Sequence, residues 1–352
     1  MDPFDPFGTA GLRQRVLAAW AASPARFRED ANTEEDYALG GYRDRVVVEL
    51  AQNAADAAAR AGVPGRLLLR LRDGLLTAAN NGSPLDPAGV QALSTLRASA
   101  KDPGPPGQDT VGRFGVGFAA VVAVTDEPAI ASRIDGGDGG DGGDGEVAGV
   151  MWSAARTREL VAARRELAAE LDRRAGHVPV LRLPFTLPSK RAATVQGPAA
   201  ASSAELGHWF PGAEFDTVVR LPLRDAGSVD LVRRQLAEAG PALMLALPAL
   251  ARIDIDVDGA VRTIAATHGK GTTTINGADW RTVAAHGELP AGLLADRPAE
   301  ERARPFWQLR WAIPAAATAA PDTWDPVRSA DGAGLPGDVP AVVHAPTPSA
   351  EP

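Results

Sequence analysis

Glu49-Leu-Ala-Gln-Asn53-Ala-Ala-Asp56-Ala57 is the stretch whose reading decides the fold. On a helix of 3.6 residues per turn, Glu49, Asn53 and Asp56 stand at i, i+4 and i+7 and project from nearly the same side. The opposite side carries Val46, Val47, Leu50, Ala54 and Ala58, an apolar stripe suited to packing on a sheet. One face is thus held in a core while the other offers two carboxylates and an amide to a cavity. An amide oxygen one turn from a carboxylate suits a hard cation such as Mg²⁺, which takes few protein oxygens and keeps waters and phosphate oxygens. Glu49 is then left to act as a base. Taken alone, the stretch also describes an ordinary amphipathic surface helix, because short motifs recur by accident.

Two later segments add to it. Leu67-Leu-Leu-Arg-Leu71 and Leu75-Leu-Thr-Ala-Ala79 are short apolar runs joined through Asp73-Gly74, a dipeptide that predicts a hairpin. The second run delivers Asn80-Asn81-Gly82-Ser-Pro-Leu85 to the cavity beside the helix. Further on, in Gly112-Arg-Phe-Gly115-Val116-Gly117-Phe118, the glycines let successive backbone N–H groups turn inward. The apolar run from Gly117 to Val124 predicts a helix whose N-terminus faces an anion.

In order and spacing these three segments resemble the nucleotide-binding domain of the GHKL ATPases, the superfamily of gyrase, heat-shock protein 90, histidine kinases and MutL, over residues 40 to 225. The first segment is similar to the box carried by the chaperones and MutL. That implies Glu49 as catalytic base, Asn53 as Mg²⁺ ligand and Asp56 as part of the ATP site. The last resembles the chaperone form of the glycine box, which implies phosphate contact by Gly112, Gly115, Val116, Gly117 and Phe118.

The middle box departs from the family. Where most members have Asp-x-Gly-x-Gly, this chain has Asn80-Asn81-Gly82, a form similar to the sacsin branch. The family's aspartate accepts a hydrogen bond from the adenine amino group, and Asn80 keeps an acceptor without the charge, so a weaker bond is expected. Gly82 lets backbone approach the base. Alone, this segment reads as a simple turn. Lys101 stands where relatives carry a Ser/Lys pair near the phosphates, ahead of a mobile loop from Asp102 to Thr110 that the resemblance identifies as the ATP lid. Its other reading is a solvated loop lysine. Phe215-Asp-Thr217-Val-Val-Arg-Leu221 alternates like a strand and resembles the late family strand whose threonine lies beside adenine, which singles out Thr217.

The resemblance implies ATP and Mg²⁺ as cofactors and a slow ATPase of a chaperone-like system. The alternative is a nucleotide-sensing module without useful hydrolysis. Protein clients, further domains of a longer chain and a homodimer are the partners it suggests. A histidine kinase is disfavoured, because residues before 40 hold no pair of dimerising helices with a phosphoacceptor histidine.

The 352 residues allow two domains, and 45% apolar residues supply a core for each. No cysteine is present, which excludes disulfides and a cysteine nucleophile. The net charge of −8 argues against a general nucleic-acid binder. Neither a long apolar run nor a signal-peptide layout occurs, and a cytoplasmic protein without membrane contact is expected. The five histidines show no metal-ligand spacing.

The expected fold class is α+β: a two-layer α/β sandwich of the GHKL (Bergerat) type followed by part of a second α/β domain. Residues 1–40 form a helical lead in which 12–22 are helical and 28–41 a polar connection. Residues 41–225 form the ATP-binding domain, with a box helix from Tyr42 to Ala61, a helix from an Asp86 N-cap, and one charged helix from Thr157 to Ala175. A flexible Gly/Asp loop at 135–145 has too little side chain to bury. Residues 226–314 resemble a partial transducer domain, and 315–352 a flexible connection with a truncated strand. The chain is expected to end before its second domain is complete.

Overall fold

The computed structural model describes residues 5–40, 43–94, 117–134, 146–187, 206–297, 302, 305–315 and 342–344. Lys101, the lid at 102–110, Gly112, Gly115, Val116 and the Gly/Asp loop lie outside the described residues. The chain opens with α1 (Thr9–Ala22) and α2 (Pro24–Leu39), followed by α3 (Val46–Ala61), which carries the polar row. Gly62, in the left-handed region at φ +66°, ends α3 and donates its N–H back into the last turn. Next come β1 (Gly65–Arg72) and β2 (Leu75–Asn80), a hairpin whose Asp73-Gly74 turn has both φ values positive, as a two-residue I′ turn requires. The short α4 (Pro87–Leu93) starts at Asp86, whose carboxylate accepts from Gly89 N–H at 2.6 Å.

Among the described residues, twelve strands make one sheet. The remaining ones are β3 (Ala129–Ile134), β4 (Glu146–Met151), β5 (Phe185–Leu187), β6 (Thr217–Pro222), β7 (Leu250–Val257), β8 (Ala260–Gly269), β9 (Thr272–Ile275), β10 (Ala278–Glu288), β11 (Phe306–Pro314) and β12 (Val342–His344). Their order is β12-β11-β10-β9-β8-β7-β1-β2-β6-β3-β4-β5. Among these, β1 and β7 pair in parallel and every other pairing is antiparallel. The class is α+β.

Val46, Val47, Leu50 and Ala54 of α3 share one buried cluster with Leu67, Leu69 and Leu71 of β1, Leu76 and Ala78 of β2, and Ile253 and Ile255 of β7. Alternate residues of each strand therefore face the helix, as the period of two demands. Leu231, Val232 and Leu236 of α7 (Ala226–Glu238) join the same cluster, as do Met244 and Leu245 of α8 (Pro241–Ala246). The expected boundary near residue 226 thus falls within a continuous sheet and core. A second cluster gathers Leu17, Trp20 and Phe27 of the first two helices with Val161, Leu167, Leu171 and Leu183.

Three expectations are corrected. The polar connection at 28–41 is helical as far as Leu39, and α2 packs on the segment Gly117–Ala123. Its stripe is narrow: Phe27, Ala31 and Glu34 are buried at i, i+4 and i+7, so a carboxylate stands where an apolar residue would signal a helix. The single charged helix at 157–175 is broken into α5 (Ala154–Ala162), a 3₁₀ turn at Arg165–Leu167 and α6 (Ala168–Arg173). On a continuous helix Val161 and Leu167 would point about 120° apart, and the break lets both enter the second cluster. Finally, Gly117–Ala123 is 3₁₀ rather than α, and Arg224 donates to the carbonyls of Val122 at 2.8 Å and Ala123 at 3.3 Å near its end.

Glu34 is enclosed, and its carboxylate accepts the N–H groups of Val180 and of Leu181, the latter at 3.0 Å. Burial outweighs these bonds and the nearby Arg182, and pushes the carboxyl up to about 7. The folded chain then binds a proton that the unfolded chain releases at the ordinary value of 4.5, so stability falls as pH rises from 4.5 towards about 7. Glu34→Gln should remove this slope. Urea titrations at about pH 5 and pH 8 should give a wild-type loss exceeding the variant's by up to ~3 kcal/mol, and equal losses would exclude Glu34 as its source.

Candidate functional site

The polar row of α3 is less open than its sequence suggests. Glu49 is 8% exposed and Asp56 1%, whereas Asn53 between them meets solvent. The Glu49 Oε1 atom lies 3.9 Å from Nε of Arg45, one turn earlier. The other oxygen touches a different segment: a Cβ added to Gly117 would stand 2.0 Å from Glu49 Oε2. A side chain at residue 117 would turn the Glu49 carboxylate aside from this backbone.

A second glycine meets the far end of the row. Gly82 has φ +116°, and a Cβ there would fall 2.5 Å from the carbonyl carbon of Ala57 and 2.6 Å from its oxygen. Ser83 N–H then donates to Ala57 O at 2.9 Å, so the loop after β2 is bonded to the helix backbone. From Glu49 to Ala57 is eight residues, about 12 Å along the axis. Backbone without side chains approaches α3 at both ends of that span.

The β2 end of the site is set by strand register. Asn80 is paired with Thr217 across β2 and β6, and Thr217 with Ser132 across β6 and β3, which places the three side by side on the face towards α3. Thr217 Oγ1 is 2.9 Å from Ser132 Oγ, which accepts Leu85 N–H at 2.9 Å. Buried Asn80 donates through Nδ2 to Asn81 O at 3.0 Å. Asn81 has a different task. Its Oδ1 accepts from Arg66 N–H at 2.6 Å and its Nδ2 donates to Pro64 O at 3.0 Å, stapling the end of β2 to the start of β1.

Sequence reasoning missed Asp216. Its N–H donates to Asn80 O at 2.9 Å and its Oδ2 accepts Gly82 N–H at 2.8 Å. A carboxylate does therefore stand at the middle segment, supplied by the residue just before β6 instead of by residue 80. The signal was positional: once Asn80 is set opposite Thr217, the preceding residue falls beside Gly82.

Of the expected residues, Glu49 and Gly117 meet, Asn80 and Thr217 meet, and Gly82 reaches α3 next to Asp56. Phe118 goes elsewhere, since its ring is buried in the core 5.5 Å from that of Trp152 and only its backbone remains for a ligand. Among the described residues no group of three or more His, Cys, Asp or Glu is arranged to hold a metal ion. Mg²⁺ does not demand one, because one or two protein oxygens suffice where phosphates and waters complete the shell. The exposed amide of Asn53 fits that use. No helix among the described residues is long and apolar enough to cross a membrane. The chain matches no protein-family model, and no curated protein matches it.

Gly62 and Gly82 both have positive φ, +66° and +116°, but only Gly82 abuts backbone. Gly62→Ala should cost about 1–2 kcal/mol, the strain of a left-handed alanine. Gly82→Ala adds a collision that cannot be relieved by turning a side chain and should cost about 3 kcal/mol or more. Denaturant titration of the two variants checks the order, and equal costs would show that the loop can lift from α3 freely.

Proposed function

We propose that this chain binds Mg-ATP between α3 and the sheet, as a GHKL-type protein nearest the sacsin-like and heat-shock protein 90-like branch. Its work would be slow ATP hydrolysis in a cytoplasmic, chaperone-like system. The observation that carries the reading is the seating of Gly82 and Gly117 at the two ends of one polar helical row. Both glycines also lie where a Cβ would meet α3, at Ala57 for Gly82 and at the Glu49 carboxylate for Gly117.

Each end then has its chemistry. At the β2 end, Asn80 Oδ1 and the Thr217 hydroxyl offer polar contacts to a base, with the bare backbone of Gly82 beside them. At the other end, Gly117 opens a 3₁₀ turn, and the N-terminal amides of such a turn would take a phosphate. Asn53 lies between, exposed on the helix, and its amide oxygen would serve Mg²⁺. A bound Mg²⁺ would neutralise phosphate charge there. Glu49, one turn away, would accept the proton of an attacking water, a role worth roughly a hundred- to ten-thousandfold in rate.

A second reading has its own observation. Glu49 is enclosed, with one oxygen against Gly117 and the other near Arg45, so it must shift to reach a water over a phosphate. A nucleotide-sensing module that binds without useful turnover fits that arrangement. The two readings divide at Glu49→Gln. In the ATPase, calorimetry should give a Mg-ATP affinity within about twofold of wild type while phosphate release falls at least a hundredfold, the mark of an interaction made only in the transition state. Undiminished turnover in the variant would remove Glu49 from catalysis.

Asn53→Ala supplies the separate metal test. Alanine is a good helix former at an exposed site, so the fold should survive. ATP affinity should lose its dependence on added Mg²⁺. A folded variant with unchanged Mg²⁺ dependence would refute the ligand assignment.

A further inference from the structure

The first turn of α3 has no cap of its own. Arg45 occupies the N-cap position and its side chain bonds no backbone N–H there, although a helix start leaves four N–H groups to be satisfied. One of them is satisfied from far away in sequence: Val47 N–H donates to Gln235 Oε1 at 3.0 Å, in a buried setting. The same amide reaches back to the approach of the helix, where Gln235 Nε2 donates to Arg43 O at 3.3 Å. Gln235 lies on α7 and is 8% exposed. Its two bonds bracket Arg45 and fix the residues immediately before Glu49.

We propose that Gln235 is the positioning residue for Glu49, and that through it the segment beyond residue 226 sets the orientation of the catalytic end of α3. This deepens the reading of Glu49 as general base and, in its kinetic part, rests on it. The physical case is the pairing of a donor and an acceptor. A glutamine can accept from the helix and donate to the chain entering it, so both sides of the kink at Asp44, where the backbone leaves helical φ/ψ, are held by one side chain. Leucine at 235 would keep the bulk and lose both bonds. Glutamate would keep the acceptor, favoured at a helix N-terminus, and lose the donor.

The position of Glu49 can be read without ATP. In the full chain, amide hydrogen exchange at Val47 should quicken at least tenfold in Gln235→Leu and stay within threefold of wild type in Gln235→Glu. The carboxyl-carbon titration midpoint of Glu49, followed by NMR, should move by half a pH unit or more in the leucine variant. With ATP present, Gln235→Leu should lower kcat at least tenfold with Mg-ATP affinity within about twofold, and Gln235→Glu should recover most of that loss. A folded leucine variant with unchanged Val47 exchange and an unchanged Glu49 midpoint overturns the proposal. If Gln235→Leu does not fold, loss of Val47 protection in the folded Gln235→Glu variant overturns it equally. Should wild type bind no ATP, the nucleotide reading fails while the exchange and titration still decide whether Gln235 positions Glu49.

Discussion

Residue 82 stands where the fold admits no side chain. Its backbone lies on the carbonyl of Ala57, so any Cβ would enter the main chain of α3. The adjoining Ser83 N–H takes that same carbonyl, and Asp216 takes Gly82 N–H. Loop, helix and β6 are thereby fixed to one another at a single point. The register follows from it: Asn80 is held opposite Thr217, and Thr217 opposite Ser132. On the other side of α3 the apolar stripe is clamped to Leu67, Leu69 and Ile255. The helix can neither rotate nor slide without breaking one of these ties, and its polar row is held at a defined height above the sheet.

Much of this was legible because it was local. The stripe of α3, the Asp73-Gly74 hairpin and the Asp86 cap are written within a few residues of each other, and the structure has all three. What stayed hidden depends on partners distant in the chain. Nothing near Asp216 marks it as the acceptor for Gly82, and nothing near Gln235 marks it as a cap for Val47. The helix α2 was missed because Glu34 holds a buried position that pattern reading reserves for apolar residues. The strands β8 to β10 are hard to read in the sequence because Thr, Arg and His blur their alternation. Their turns were readable nonetheless: Asp258-Gly259 and Asn276-Gly277 have the positive φ pairs of tight hairpins.

The buried carboxylates sort by their surroundings. Asp256 is held by Arg70 at 2.7 Å and by Gly259 N–H at 2.9 Å, and these keep its carboxyl below the ordinary range despite burial. That is a structural ion pair. Glu34, held by two backbone amides, joins α2 to residues 180 and 181 and is also structural. Glu49 differs from both, since it lies beside a glycine backbone in a row whose middle member is open to solvent.

Mg-ATP bound as proposed would span α3 from Gly82 to Gly117. Amide NMR of the full chain, recorded with and without Mg-ATP, tests it most directly. Shifts are expected in two groups at once, Asn80, Gly82 and Thr217 at one end and Glu49 and Gly117 at the other, with β8 to β11 unmoved. An unchanged spectrum, or changes confined to the strands beyond residue 260, would contradict it.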